Sequence, residues 1–290
     1  MQRSGLIVLL TLTGLTLLIL SISIPFQTIT EDEGPKVVVV YGFTGEIIYR
    51  LTEGKLPLYV LSLSGDHHGF ELTSQEVSTL SRAEYLVAFD VELDNWVKEV
   101  LRGFPHLKAV YVTDLVGERL DHGWLSPGYH VRSLEAIAGW VSKAYPHLRD
   151  TVMDRKGHML KEYKDLEDRY RSSLEEAKGR WVLVEYGSLA TIFEGFGLNV
   201  VYVKSQHEEE MTIGKINEVI DAVRRHGIKT LFVEKGSKDP VIERLRSELG
   251  LRVYEIDLLE DVTLNDLLIG NGYVERMTTN LMVIEEGLRR

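Results

Sequence analysis

The chain has 290 residues, 44% of them hydrophobic, and a formal net charge of −11. That balance excludes a nucleic-acid partner, which needs a basic face, and suits a surface that meets cations. With no cysteine in the chain, disulfides, thiolate metal sites and a lipid anchor through an N-terminal Cys are excluded as well.

The first element is the stretch Gly5 to Phe26, which contains no charge, follows Arg3 and precedes Glu31, Asp32 and Glu33. About 20 apolar residues cross a bilayer, and a positive residue ahead of them keeps the N-terminus inside. Residues 1–30 are therefore expected to be a signal or membrane anchor. The domain from residue 31 onward is expected on the outer face of the cell membrane, or secreted if the segment is cleaved.

From Pro35 strands alternate with helices. The run Lys36–Gly42 reads as a strand buried on both faces, and Leu56–Leu63 as the next strand. Thr73 or Ser74 reads as an N-cap for the next helix. Glu84–Asp90 and Lys108–Asp114 are two further strands, with a helix around Trp96–Arg102 between them. Strand signals then stop from Ser133 to about Lys178. Within that span Met159, Leu160, Tyr163, Leu166, Tyr170 and Leu174 recur at three- and four-residue steps, which predicts an amphipathic helix of about seven turns. Strands resume at Arg180–Glu185, Asn199–Val203, Thr230–Glu234 and Arg252–Ile256. Helices are predicted at Ile213–His226 and from Tyr273 onward. The expected fold is α/β with two lobes, 31–132 and 179–290, each a parallel sheet flanked by helices with its own core. A linking helical segment, 133–178, joins them, and the ligand cleft lies between the lobes.

Ligands of open parallel sheets bind beyond the carboxyl ends of the strands. His67 and His68 come just after the strand ending at Leu63. His122 follows the strand Lys108–Thr113 through a short loop, Glu185 closes its strand, and Asp257 comes directly after Ile256. Any one of them is more often an ordinary loop residue; Asp257, for instance, suits a turn cap equally well. Together, imidazole and carboxylate without sulfur suit Zn²⁺ or Mn²⁺. Neither an H-E-x-x-H helix nor a G-x-S-x-G elbow is present, so no enzyme is expected. The run His207–Met211 reads as a solvated loop. His106, His130, His147, His158 and His226 read as surface or packing residues.

The motifs "DHHGFELT", "LSRAE", "VELDNW" with Trp96, "LDHGWLSP", "LFVE", "IDLL" and "GYVERMTTNLMVIEEGL" occur in an order that resembles the zinc- and manganese-specific solute-binding proteins of ABC importers. The resemblance covers nearly everything after the N-terminal segment. It implies a rigid interlobe helix and a metal site formed by His68, His122, a third donor and Asp257. At the third position the gapless match falls on Tyr186, while coordination chemistry favours Glu185, one residue earlier. The resemblance further implies a monomer that carries Zn²⁺ or Mn²⁺ as its transported ligand to an ABC permease and its ATPase. The weighed alternatives are a binder of haem, cobalamin or siderophore chelates, a surface adhesion or scaffold protein, and a metal-dependent surface enzyme.

Overall fold

The computed structural model describes residues 34–61, 72–205 and 212–289. The expected membrane segment, His67, His68 and the run His207–Met211 lie outside them. The chain begins with β1 (Val37–Val39), α1 (Gly42–Thr52), β2 (Leu58–Val60), α2 (Ser74–Leu80), β3 (Tyr85–Ala88), α3 (Val97–Gly103), β4 (Lys108–Tyr111) and α4 (Val112–Val116). These four strands pair in parallel in the order β2-β1-β3-β4. Two helices come next, α5 (Pro127–Ala144) and the long α6 (Arg149–Leu174).

The second half comprises β5 (Trp181–Tyr186), α7 (Ala190–Glu194), β6 (Asn199–Lys204), α8 (Ile213–His226), β7 (Thr230–Glu234), α9 (Pro240–Leu249), β8 (Arg252–Ile256), α10 (Leu264–Leu268) and α11 (Tyr273–Leu288). Its sheet is also parallel, in the order β6-β5-β7-β8. Two parallel sheets flanked by helices and linked through a long helix are the architecture expected from the sequence.

Local chemistry explains several boundaries. The Thr73 hydroxyl accepts from the Glu76 N–H at 3.2 Å, and the Glu76 carboxylate accepts from the Thr73 N–H at 2.8 Å. This reciprocal cap satisfies donors that the first turn of α2 would leave open. On α6 the buried residues are Val152, Met159, Tyr163, Leu166, Tyr170 and Leu174; from Met159 on they are the predicted stripe except for Leu160, which is half-buried, and Val152 extends it by two turns. Along β5, Val182 and Val184 join one apolar cluster and Leu183 another, the two-residue alternation of a strand covered on both faces.

Three expectations change. The strands of the first sheet are shorter than their apolar runs. Val40 and Tyr41 follow the end of β1 at Val39, with the Val40 N–H still donating to the Val87 carbonyl at 2.9 Å, and are only 1% and 3% exposed. Tyr41 stacks on Phe43 at 5.1 Å, and Phe43 on Trp124 at 4.8 Å, so ring packing buries Tyr41 outside the strand. The run Lys108–Asp114 likewise ends as a strand at Tyr111 and turns into α4, so His122 comes after a short helix and a turn instead of a strand. Finally, the lobes do not have separate cores. One cluster runs from Val37 through α5 and α6 to Val184, Ile256 and Met277, and a smaller one covers the outer face of the second sheet. The cause is α11, which packs on α6, β7 and β8 and docks its first turn on the other lobe. There the Tyr273 N–H donates to Glu46 at 2.7 Å, and the Tyr273 hydroxyl donates to the Trp124 carbonyl at 2.7 Å.

Candidate metal centre

His122 lies in the turn between α4 and α5 with φ +48°, in the left-handed region that His enters more readily than most residues. It is 6% exposed, and its ring packs against Trp124 with centroids 4.7 Å apart. Nδ1 lies 3.2 Å from the Asp121 carboxylate. A carboxylate only accepts, so Nδ1 carries the proton in that contact and the lone pair falls on Nε2. Nε2 faces the Glu260 carboxylate of the opposite lobe at 3.6 Å. Two electron-rich atoms held this way favour a cation between them. Donors bound to one Zn²⁺ at tetrahedral angles lie about 3.4 Å apart, so the pair fits that ion.

The loop carrying Glu260 is fixed to the first lobe on either side. The Trp124 indole N–H donates to the Leu258 carbonyl at 2.8 Å. At Gly42 an added Cβ would stand 1.6 Å from the Val262 carbonyl oxygen, a close approach open only to glycine.

Asp257 is occupied. Its carboxylate accepts from Arg276 Nε at 2.7 Å and from the Leu259 N–H at 2.8 Å, while its backbone is bracketed by the Asn280 amide. Glu185, 1% exposed, accepts from the Ser237 hydroxyl at 2.5 Å and the Glu234 N–H at 2.9 Å. Burial pushes its carboxyl up, against the pull of those two donors. Glu185 and Tyr186 line a pocket of about 490 Å³ with Lys204, Glu234, Ser237 and Asp239; neither His122 nor Glu260 lines it. Lys204 pairs with Asp239 and lies over the Tyr186 ring at 5.8 Å. Burial raises the Tyr186 hydroxyl too, with Lys204 opposing.

Of the sequence candidates, then, His122 is paired across the lobes with a residue that sequence reasoning misses, Glu260. Among the described residues, no three His, Asp or Glu side chains gather closely enough to hold a metal together, so His122, Glu185 and Asp257 form no such group. What occupies Asp257 is Arg276, a cation on the buried face of α11 that needs an anion beside it. Two of the histidines set aside as surface or packing residues pack closely: His130 on Tyr273 and His226 on Trp181, with centroids 3.5 Å and 3.8 Å apart.

Two α/β lobes bridged by a long helix, with a histidine of one facing a carboxylate of the other, define a two-lobe binding protein. The family described as ZnuA, zinc-uptake complex component A periplasmic, matches residues 37–287, and the chain belongs to this family of metal-uptake solute-binding proteins. It is similar to the high-affinity zinc uptake system protein ZnuA of Bacillus subtilis, with 21% identity over 288 residues, covering 89% of each chain. It is 21% identical over 272 residues to the zinc-binding protein AdcA of Streptococcus pyogenes serotype M1, covering 81% of this chain and 53% of that protein, so it spans about half the length of that relative. The crystal structure of AdcAII from Streptococcus pneumoniae shares the fold, with a TM-score of 0.76 and 19% identity over 88% of this chain and 99% of that one.

Proposed function

We propose that this protein captures Zn²⁺ between its lobes outside the cytoplasmic membrane and delivers it, as a monomer, to an ABC permease and its ATPase. The observation that carries the reading is His122, with Asp121 on Nδ1 and Glu260 opposite Nε2 at 3.6 Å. The names of the relatives support zinc over manganese, as does an imidazole donor. The remaining donors in this reading are His68, on the sequence resemblance alone, Glu185 with Tyr186 as its alternative, and one carboxylate from the loop after β8, Asp257 by resemblance. The uncharged N-terminal stretch supports anchorage to the outer face of the membrane; among the described residues no helix is long and apolar enough to cross one.

Elemental analysis of the full chain, purified without chelator, tests the reading. About one zinc per chain is expected, with loss of that zinc in His122→Asn, a residue that tolerates the same left-handed turn. A metal-free wild type that takes up neither Zn²⁺ nor Mn²⁺ in titration refutes it. Protease added to intact cells is expected to remove the domain; protection until lysis refutes the outer-face assignment.

A further inference from the structure

We infer that Lys204 is a tethered cation that competes with the metal for the carboxylate of Glu185, and so sets how tightly the second lobe holds its cargo and how fast it lets go. The inference rests on the metal-binding reading above, with Glu185 as a donor, and deepens it.

Lys204 ends β6 directly beside Tyr186, its register partner at the end of β5. Ligands of a parallel sheet bind beyond those carboxyl ends. An ammonium fixed there repels any second positive charge that enters. The residue is only 9% exposed, so solvent and salt screen its charge poorly. Burial opposes the charge, but the Asp239 carboxylate outweighs burial and holds the Lys204 pKa above its ordinary value.

The neighbours of Lys204 divide their polar groups around it. One Asp239 oxygen accepts from the Val241 N–H at 2.8 Å and caps α9, while the other pairs with the ammonium. The Tyr186 ring faces Nζ with its centroid 5.8 Å away, within reach of a cation–π contact. Glu185 lines the same pocket as Lys204. Its carboxyl is pushed up by burial, and the Lys204 charge is one of the influences that pull it back. Glu185 thus has a positive neighbour before any metal arrives. A Zn²⁺ ion that takes Glu185 as a donor meets the ammonium across this pocket, and the repulsion weakens the bound state. Differences of that kind appear mainly in the dissociation rate. For a carrier that must surrender its ion, a lysine that reclaims the acid as the metal departs speeds delivery.

The test compares wild type, Lys204→Met, Glu185→Gln, the double variant of those two, and Asp239→Asn. Each is a full chain in detergent, with folding checked by circular dichroism. Zn²⁺ affinity is read by competition with a chromophoric chelator, and release by stopped-flow transfer to excess chelator. Lys204→Met keeps an unbranched stem over Tyr186 and removes the charge. It is expected to bind about tenfold more tightly, mostly through slower release. Asp239→Asn keeps an oxygen for the α9 cap and deprives the ammonium of its partner, leaving Lys204 to Glu185. Affinity is then expected to fall about threefold or more. Both changes break one ion pair, so a purely structural role would shift affinity the same way in both; opposite shifts mark competition. In the Glu185→Gln background the gain from Lys204→Met is expected to vanish. Unchanged or weaker binding in Lys204→Met, or a gain that persists undiminished without the Glu185 charge, overturns the inference. If Lys204→Met fails to fold, Asp239→Asn decides alone, and wild-type or tighter binding there overturns it. Wild-type affinity in Glu185→Gln refutes the donor assignment, and a wild type that binds neither metal refutes the metal reading; both are seen before any change at Lys204.

Discussion

The indole N–H of Trp124 donates to the main-chain oxygen of Leu258 at 2.8 Å, joining the turn that carries His122 to the turn that carries Glu260. Trp124 is fully buried, so water cannot replace the bond. Trp124→Phe keeps a ring against Phe43 and removes the donor. An unpaired buried carbonyl costs about 1–3 kcal/mol, and a loss of that size is expected in urea denaturation. Zn²⁺ affinity is expected to fall as well, although no donor has changed, because the two turns lose their register. Unchanged affinity in a destabilised Trp124→Phe protein would show that the bond serves stability alone.

Gly42 gives a second handle on the same contact. Because a Cβ there would lie 1.6 Å from the Val262 carbonyl oxygen, Gly42→Ala has to separate α1 from the loop after β8. Two packed backbones must move, and small-to-large changes in tight sites cost about 1–3 kcal/mol or more. The expected result is a lower Tm and weakened Zn²⁺ binding, with helix content by circular dichroism preserved. A Gly42→Ala protein indistinguishable from wild type in both would mean the loop yields without affecting the site.

The sequence reveals those parts of the structure that depend on local pattern. Thr230–Glu234, Arg252–Ile256 and Ile213–His226 are bounded where apolar periodicity and glycine stops put them. The run from Lys36 over-extends because hydrophobicity reports burial, and Val40 and Tyr41 are buried without belonging to a strand. The site is less legible for a different reason. Asp257 satisfies the motif, but what commits it is Arg276, 19 residues further on in α11, and no spacing rule links the two. Glu260 reads as one acid in an ordinary charged loop until the fold sets it opposite His122. The single core across both lobes is equally hidden, since it depends on α11 returning to the first lobe through Tyr273.

His130 predicts a specific acid lability. It is 1% exposed, stacked on Tyr273, close to Tyr163, and its Nε2 has no hydrogen-bond partner. Burial, with the Arg50 guanidinium nearby, pushes its ring down to about 3. Between that value and the ordinary pKa near 6.5 the unfolded chain binds the proton and the folded one does not. Stability from this group is therefore present above about pH 6.5 and declines as pH falls, by up to about 1.4 kcal/mol per pH unit. Asp94 works in the opposite sense. Burial raises its carboxyl to about 6, so its contribution is complete below about pH 4 and is lost as pH rises through 6. Wild type shows the difference of the two, and His130→Phe, which keeps the stack, isolates one. The variant is expected to be more stable than wild type at about pH 5 relative to about pH 7.5. An equal difference at both pH values would place the proton elsewhere.

The third donor is decided by comparing Glu185→Gln with Tyr186→Phe. Burial raises both groups, but Glu185 ionises from an ordinary carboxylate range, whereas the Tyr186 phenol starts near 10 and moves further from ionisation at neutral pH. A neutral phenol is a poor ligand, so Glu185 is the better donor. It already serves the Ser237 hydroxyl and the Glu234 N–H, in a pocket that His122 and Glu260 do not line. Zn²⁺ affinity is therefore expected to fall less on Glu185→Gln than on Glu260→Gln, and not at all on Tyr186→Phe. Stability carries its own sign. A carboxyl raised in the folded state contributes fully below its unfolded pKa and loses that contribution as pH rises through the folded value. Glu185→Gln, whose amide can still accept from Glu234 and donate to Ser237, is thus expected to be at least as stable as wild type at about pH 7 by thermal melt. A protein that loses its metal on Tyr186→Phe, and whose iron-loaded form is coloured by phenolate charge transfer, would instead make Tyr186 the ligand and ferric iron the cargo.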